Sequence, residues 1–213
     1  MKKEIFQDAF KESLDKNFSK FEEYFDFKLQ VFNELNTILF EVNKCLLLEF
    51  NRAAITLTNN LLERLLKIAL IYDEVGIVPK PIEKWNEIFS PVNDKYGKIK
   101  LGNSIELCKK KHIITNEEKE LLFDKIRVLM RNGFSHADST EIMANFPDDS
   151  PMYQANLSNP KKVKEVKINQ KVIPFMQSLQ METFAKENAR DYFDYVFNLI
   201  FKIEKRFLSK DMN

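Results

Sequence analysis

Residues 54–72 read AITLTNNLLERLLKIALIY, and the helical character of the chain is clearest in this segment. Its apolar residues recur at steps of three and four, which puts them on one face of a helix. That row consists of Leu57, Leu61, Leu65, Ile68 and Tyr72. Glycine and proline, the residues that most often interrupt helices, do not occur before Gly76. The stretch therefore predicts an amphipathic helix that packs against other helices.

The same periodicity continues towards the N-terminus. One row of apolar residues covers positions 6–25, and a second covers positions 32–50. A single helix over all of residues 1–75 would far exceed the usual length of a helix in a globular protein. We therefore expect one break near residues 17–19 and another near Asn51.

Beyond Gly76 the helices become shorter. Residues 73–96 contain glycine and proline and predict a loop with one short helix around Trp85, and a modest helix is expected over residues 103–110. Thr115 and Glu118 then have the spacing of a capping box, which marks the start of another helix.

The helix that begins at Thr115 leads into residues 131–136, which form the most specific motif of the chain. Its periodicity turns Leu122, Ile126 and Leu129 inward. We expect it to end at Gly133, because glycine readily adopts the left-handed conformation found just past a helix C-terminus.

Residues 137–173 form an expected insertion before the last helix. Residues 144–151 are rich in turn formers, and residues 161–168 alternate lysine with valine in a pattern compatible with a strand. After Pro174 a long helix returns, with one apolar row made of Ala189, Phe193, Val196, Ile200, Ile203 and Phe207. The sequence thus predicts a single all-α domain over residues 1–213, with long helices and a loop-rich insertion.

Composition excludes several classes of protein. The formal net charge of +1 is far from the strongly basic balance of proteins that coat nucleic acid. Cys45 and Cys108 are too few for a disulfide framework or a zinc site, and we expect free thiols in a reducing cytoplasm. No apolar run approaches the ~20 residues that span a bilayer, and no secretory signal stands out. A soluble cytoplasmic protein without a membrane partner is expected.

The segment Arg131-Asn132-Gly133-Phe134-Ser135-His136 can carry chemistry. The guanidinium of Arg131 can bind two phosphate oxygens at once. The imidazole of His136 titrates near neutrality and can take up or release a proton. Asn132 adds a neutral donor and acceptor beside them. A phosphate clamp with a proton shuttle is sufficient for cleaving RNA through its own 2′-hydroxyl, without a metal ion or another cofactor.

Ordinary helix chemistry is an alternative explanation of the same residues. An arginine in the last turn of a helix is favourable because it faces the negative end of the helix dipole. Arg131 also lies at helical spacing from Glu120, Asp124 and Arg127, and these four residues can form a solvent-facing row of ion pairs. His136 can be a simple loop residue.

At the same residues the chain resembles the HEPN family (higher eukaryotes and prokaryotes nucleotide-binding). The family motif is an arginine, often followed by a polar residue such as asparagine, and then a histidine after four to six residues; here four residues separate Arg131 from His136. The stretch 54–67, with small residues that lead into Glu63 and a Leu-Lys ending, is similar to an earlier helix of many HEPN proteins.

This resemblance implies an up-and-down helical bundle that forms a homodimer with the motif at or near the interface. Many members are metal-independent endoribonucleases of toxin–antitoxin, antiphage or RNA-processing systems, and others are non-catalytic binding modules. Carried onto this chain, His136 would transfer protons, Arg131 would bind the scissile phosphate, and Asn132 would position one or the other. RNA and an antitoxin or defence-system protein are the implied partners.

Further candidates are less specific. Glu63 and Ser135 are candidate supporting residues, although Glu63 and Lys67 also have the spacing of a surface ion pair. His112 fits a solvated loop histidine, and the lysines of residues 161–171 fit either a phosphate-binding cluster or a solvated face. Two functions follow from the sequence: a HEPN-type endoribonuclease, or a non-catalytic helical interaction module of the same fold.

Overall fold

The computed structural model describes residues 2–135 and 139–211, and these residues are mostly helical. The predicted all-α class is confirmed, with one small β-hairpin added to it. Short 3₁₀ turns lie between some of the helices. The helices are α1 (Lys3–Phe21), α2 (Asn36–Leu47), α3 (Asn51–Val75), α4 (Trp85–Tyr96), α5 (Leu101–Lys110), α6 (Asn116–Glu120), which continues into a π-helical segment (Leu121–Ser135), and α7 (Pro174–Asp211).

Helices α3 and α7 form the centre of the molecule. They run in the same direction, because Asn59 meets Tyr192 near one end and Asp73 meets Lys210 near the other. The predicted apolar row of α7 is fully confirmed as core: Ala189, Phe193, Val196, Ile200, Ile203 and Phe207 are all buried. Burying each large apolar side chain contributes roughly 1.5–3 kcal/mol, so this pair of helices supplies much of the stability.

Of the two breaks predicted in the N-terminal region, only one lies at its predicted position. The break near Asn51 is confirmed, since α3 begins at that residue. The break expected near residues 17–19 lies later in the chain, because α1 runs on to Phe21 and α2 begins only at Asn36. Asn17 does not act as a cap because its side chain is buried and donates hydrogen bonds to the Leu47 carbonyl (3.2 Å) and to Glu49 (3.3 Å). A tertiary contact thus uses the polar side chain of Asn17 inside the helix.

The start of α6 is as predicted. The Glu118 backbone N–H donates to the Thr115 hydroxyl, and the Thr115 backbone N–H donates to the Glu118 carboxylate, which completes the capping box. The same carboxylate accepts two hydrogen bonds from the guanidinium of Arg206 (2.8 and 2.9 Å). The cap therefore also ties α6 to α7.

The end of this helix differs from the prediction. The π-helical segment passes through Gly133 and continues to Ser135, the last described residue before Ser139, so Gly133 is a buried helical residue and not a C-terminal cap. Met130, not Leu129, completes the buried row with Leu122 and Ile126, and Leu129 is only half-buried. Leu122, Ile126 and Met130 follow one another at steps of four residues, and the backbone carbonyl of Met130 accepts a hydrogen bond from the buried Asn59 on α3.

The insertion contains regular structure that was predicted only in part. Strands β1 (Ser150–Asn156) and β2 (Asn159–Ile168) pair antiparallel, with Ser150 opposite Ile168 and Gln154 opposite Lys164. The strand-like pattern of residues 161–168 is confirmed, whereas the predicted loop gives way to a strand at Ser150. Most residues of the hairpin are exposed on both faces, which is why the buried-face pattern that identifies strands was missing from β1. Residues 137–138 of the insertion lie outside the described residues.

Both cysteines are free, as predicted. Cys45 is half-buried and Cys108 is buried. Burial raises the pKa of the Cys108 thiol, so it stays protonated and unreactive near neutral pH. Within the described residues, no helix combines the length and the apolar character that crossing a membrane requires.

Candidate functional site

The predicted motif lies at the end of the π-helical segment. Arg131 and Asn132 are half-buried, Gly133 is buried, and Ser135 is exposed. His136, the predicted proton-transfer residue, lies outside the described residues. π-Helices are rare, and the single-turn π-bulges in which they mostly appear are frequent at functional sites.

A buried asparagine on α3 holds the end of this segment. The side-chain amide of Asn59 donates one hydrogen bond to the Met130 carbonyl and another to the Ser135 hydroxyl, both at 3.1 Å. Its oxygen accepts a hydrogen bond from the Tyr192 hydroxyl on α7 at 2.8 Å. Both amide donors and the amide acceptor are therefore used, which fixes the orientation of the amide group. We call these four residues the Asn59 network.

Tyr192 is suited to a permanent donor role in the Asn59 network. Its side chain is almost completely buried. Burial raises the pKa of its hydroxyl well above the ordinary value, so the group remains a neutral phenol at all physiological pH values. The hydrogen bond to Asn59 thus does not change as the pH varies around neutrality.

An aromatic contact adds a second tie between the motif and α7. The ring of Phe134 stacks on that of Phe184, with centroids 6.0 Å apart and an interplanar angle of 28°. Aromatic pairs of this kind contribute about 0.5–1.5 kcal/mol beyond the area that they bury. The backbone on both sides of Gly133 is therefore anchored, by Met130 before it and by Phe134 and Ser135 after it.

The other candidate residues have ordinary structural partners. Glu63 forms the i,i+4 ion pair with Lys67 (2.9 Å), and Lys67 also donates to the Gly97 carbonyl (3.0 Å). Arg127, expected in a row of ion pairs, stacks its guanidinium 4.2 Å from the ring centroid of Phe123. These contacts account for the polar groups without any role in chemistry.

His112 and the lysine cluster occupy solvent-facing positions. His112 is exposed in the turn after α5, with a left-handed φ of 58°. Lys167 and Lys171 contact Asp149 (3.4 Å) and Asp148 (3.2 Å), which partly offsets the positive charge of the cluster. The interpretation as solvated surface fits both features.

Sequence reasoning missed Asn59 and Tyr192 as residues that support the motif. One signal was present: Asn59 lies four residues after Ile55 and three before Leu62, both buried. A polar residue in a core row must find hydrogen-bond partners, because an unsatisfied buried amide is costly. The partners themselves could not be identified, since Ser135 is 76 residues away in the chain.

The arrangement can bind an anion but does not by itself supply proton transfer. Arg131 provides a permanent positive charge at an anchored helix end, and Asn132 and Ser135 provide neutral polar groups. Arginine, asparagine and serine side chains are not the usual groups for general acid–base catalysis. Any general acid–base chemistry at the motif therefore depends on His136.

Within residues 2–135 and 139–211, no group of three or more histidine, cysteine, aspartate or glutamate side chains could hold a metal ion. No protein-family model, curated protein or solved structure matches this chain.

Proposed function

We propose that the chain is a metal-independent endoribonuclease of the HEPN type. Arg131 binds the scissile phosphate, His136 transfers protons, and Asn132 positions one of these two groups. Ser135 supports the motif through its hydrogen bond to Asn59. Glu63 has a lesser part, because its carboxylate is occupied by Lys67.

The observation that carries this proposal is the Asn59 network. A catalytic group must be held close to its productive geometry by neighbours that are themselves fixed. Asn59 binds the backbone next to Arg131 and the side chain next to His136, and it is oriented in turn by a buried tyrosine. A helix end that is merely solvated has no need of such an anchor.

The proposed reaction needs no group beyond the motif and the RNA. The 2′-hydroxyl oxygen attacks phosphorus as His136 takes its proton, and the bond from phosphorus to the 5′-oxygen breaks. His136 then gives the proton that it took to the leaving 5′-oxygen, so the products are a 2′,3′-cyclic phosphate and a 5′-hydroxyl. Arg131 stabilises the additional negative charge on the phosphate during the attack.

We further propose that the enzyme acts as a homodimer in which the two motifs lie near the interface, inside a toxin–antitoxin or antiphage system. Two arginines would then face one RNA strand, which concentrates positive charge locally although the net charge is only +1. This assembly rests on the resemblance to the HEPN family.

The two histidines of the chain provide a matched experiment. Purified protein is incubated with single-stranded RNA in EDTA, and the product termini are identified. Cleavage to cyclic phosphates should be abolished in His136→Asn and retained in His112→Asn, since His112 is an exposed turn residue. Circular dichroism checks that both variants are equally folded. Cleavage that survives His136→Asn, or RNA left intact by the wild-type dimer, contradicts the proposal.

A non-catalytic interaction module is the second candidate, and the surface of α1 favours it. Ile5, Phe6, Leu14 and Phe18 are all exposed on this helix. Exposed apolar side chains in such number are typical of a contact surface. In this case Phe6→Ser with Phe18→Ser should abolish assembly with a partner, while Arg131→Gln and His136→Asn leave it unchanged.

A further inference from the structure

A groove separate from the motif lies between the segment before α2, the C-terminal half of α3, and α4. Its volume is about 390 Å³, which is within the usual range for small-molecule sites of roughly 300–1,000 Å³. Apolar side chains such as Ile68 and Ile71 form part of its wall. The groove uses a different stretch of α3 from Asn59, since its α3 lining begins at Arg64 and continues to Tyr72.

Three aromatic side chains line this groove: Tyr72, Trp85 and Phe89. Trp85 is 49% exposed, which is unusual for the largest apolar side chain in a chain with an ample core. Its indole N–H donates to the Lys80 carbonyl at 3.0 Å, so the ring is oriented although it is exposed. A ring held in this way offers a preorganised stacking surface to a planar ligand.

Two cations stand beside the aromatic wall. Arg64 and Lys80 both line the groove, and neither forms an ion pair with another residue in the described ranges. The carboxylate in the lining, Glu34, accepts a hydrogen bond from the Tyr72 hydroxyl. The groove therefore has a surplus of positive charge next to exposed aromatic surface.

From this combination we infer that the groove binds a small planar aromatic anion, whose ring contacts Trp85 and whose anionic group is held by Arg64 with help from Lys80. An apolar wall alone would bind the ring of a neutral compound as well as it binds the ring of an anion. The cations add selectivity for an anion, because a hydrogen bond between two charged groups is stronger than one to a neutral group. Aromatic carboxylates and nucleoside monophosphates share this chemistry.

Trp85 makes the inference directly measurable, since it is the single tryptophan of the chain. Its fluorescence is followed while two matched pairs are titrated: benzoate against benzyl alcohol, and adenosine monophosphate against adenosine. At least one anion should quench the emission saturably and bind about tenfold or more tightly than its neutral counterpart. The pair that shows the larger difference identifies the source of the anion.

Two substitutions on the same helix provide the control. Arg64→Gln should weaken binding of the anion about tenfold, to the level of its neutral counterpart. Arg52→Gln, at the other end of α3 and outside the groove, should leave binding unchanged. Both arginines are exposed, so both variants should fold, and thermal unfolding verifies this. Lys80→Gln provides a second test of the charge requirement.

Three outcomes overturn the inference: no saturable quenching by either anion, equal affinity for anion and neutral compound, or unchanged binding in both Arg64→Gln and Lys80→Gln. The groove is independent of the proposed ribonuclease activity. Binding that survives His136→Asn together with a loss of RNA cleavage would separate the two functions.

Discussion

The pair of central helices and the π-helical segment are held in place by different forces. Helices α3 and α7 meet through long rows of buried apolar side chains, so many residues contribute to this contact. The end of the π-helical segment is fixed by the Asn59 network and by one aromatic pair. Apolar packing is non-directional and tolerates rearrangement, whereas hydrogen bonds fix position and orientation. The region that carries the candidate chemistry is thus the one positioned by directional contacts.

The largest expected effect lies in the apolar region. Phe193 is completely buried and contacts the ring of Tyr24, with centroids 5.2 Å apart. Phe193→Ala should lower the free energy of unfolding by about 3–5 kcal/mol, because it removes a large side chain and leaves a cavity. Urea unfolding followed by circular dichroism measures this loss.

Phe175 on the same helix is the matched control, since it is 70% exposed. Phe175→Ala should change the free energy of unfolding by less than about 0.5 kcal/mol. Similar losses in the two variants would mean that α7 is not buried along its predicted face.

The second expected loss of stability is smaller and tests the hydrogen bonds that hold the end of the π-helical segment. Asn59→Ala removes three hydrogen bonds and leaves the buried Tyr192 hydroxyl without its acceptor, so a loss of about 1–3 kcal/mol is expected. Amide hydrogen exchange should also accelerate at residues 131–135, because the end of the segment is no longer held. The neighbouring Asn60 is exposed, and Asn60→Ala should affect neither property.

If amide hydrogen exchange at residues 131–135 were equally fast in Asn59→Ala and Asn60→Ala, the Asn59 network would not hold the end of the π-helical segment. The contrast between this segment and the central pair of helices would then be lost. Such a result would also remove the main support for a catalytic motif at this helix end.

The smallest effect concerns α1, a second element held by polar contacts. Hydrogen bonds from Lys16 and from Asn17 hold the pKa of the Glu49 carboxyl below its ordinary value of 4.5. A lowered pKa means that the contribution of Glu49 to stability is complete above pH 4.5 and is lost as the pH falls through the lower, folded-state value. The pair is exposed to solvent, so its contribution is modest.

Glu49→Gln should therefore be slightly less stable than the wild type at neutral pH, and the difference should disappear on acidification. Thermal unfolding of the two proteins across this pH range measures the effect. Glu41→Gln, on the exposed face of α2, should show no such pH dependence. A difference between Glu49→Gln and wild type that is constant with pH would show that the carboxylate does not anchor α1.

The comparison also explains which structural predictions from sequence were correct. The helical class, the start of α3, the capping box at Thr115 and the buried face of α7 were predicted correctly. Each depends on residues within three or four positions of one another, which a pattern in the sequence records directly. The extension of α1 past Asn17 was missed because Leu47, which accepts its hydrogen bond, is 30 residues away.

The candidate site was predictable only as a set of residue types. Arg131 and Asn132 were identified because their chemistry suits a phosphate, and their half-buried position at a helix end is compatible with that role. The π-helical segment contains the buried residues Met130 and Gly133 and packs against α3. No local signal distinguishes it from an α-helix, because both use the same amphipathic pattern.

The mostly helical class, the starts of several helices and the buried face of α7 could all be predicted from sequence patterns. Those properties follow from local hydrogen bonding and apolar periodicity. The packing of the helices, in contrast, brings Asn59 and Tyr192 against the motif and places Arg64, Lys80 and Trp85 around one groove. These contacts join residues that are distant in the chain, and their geometry is set when the core packs around them.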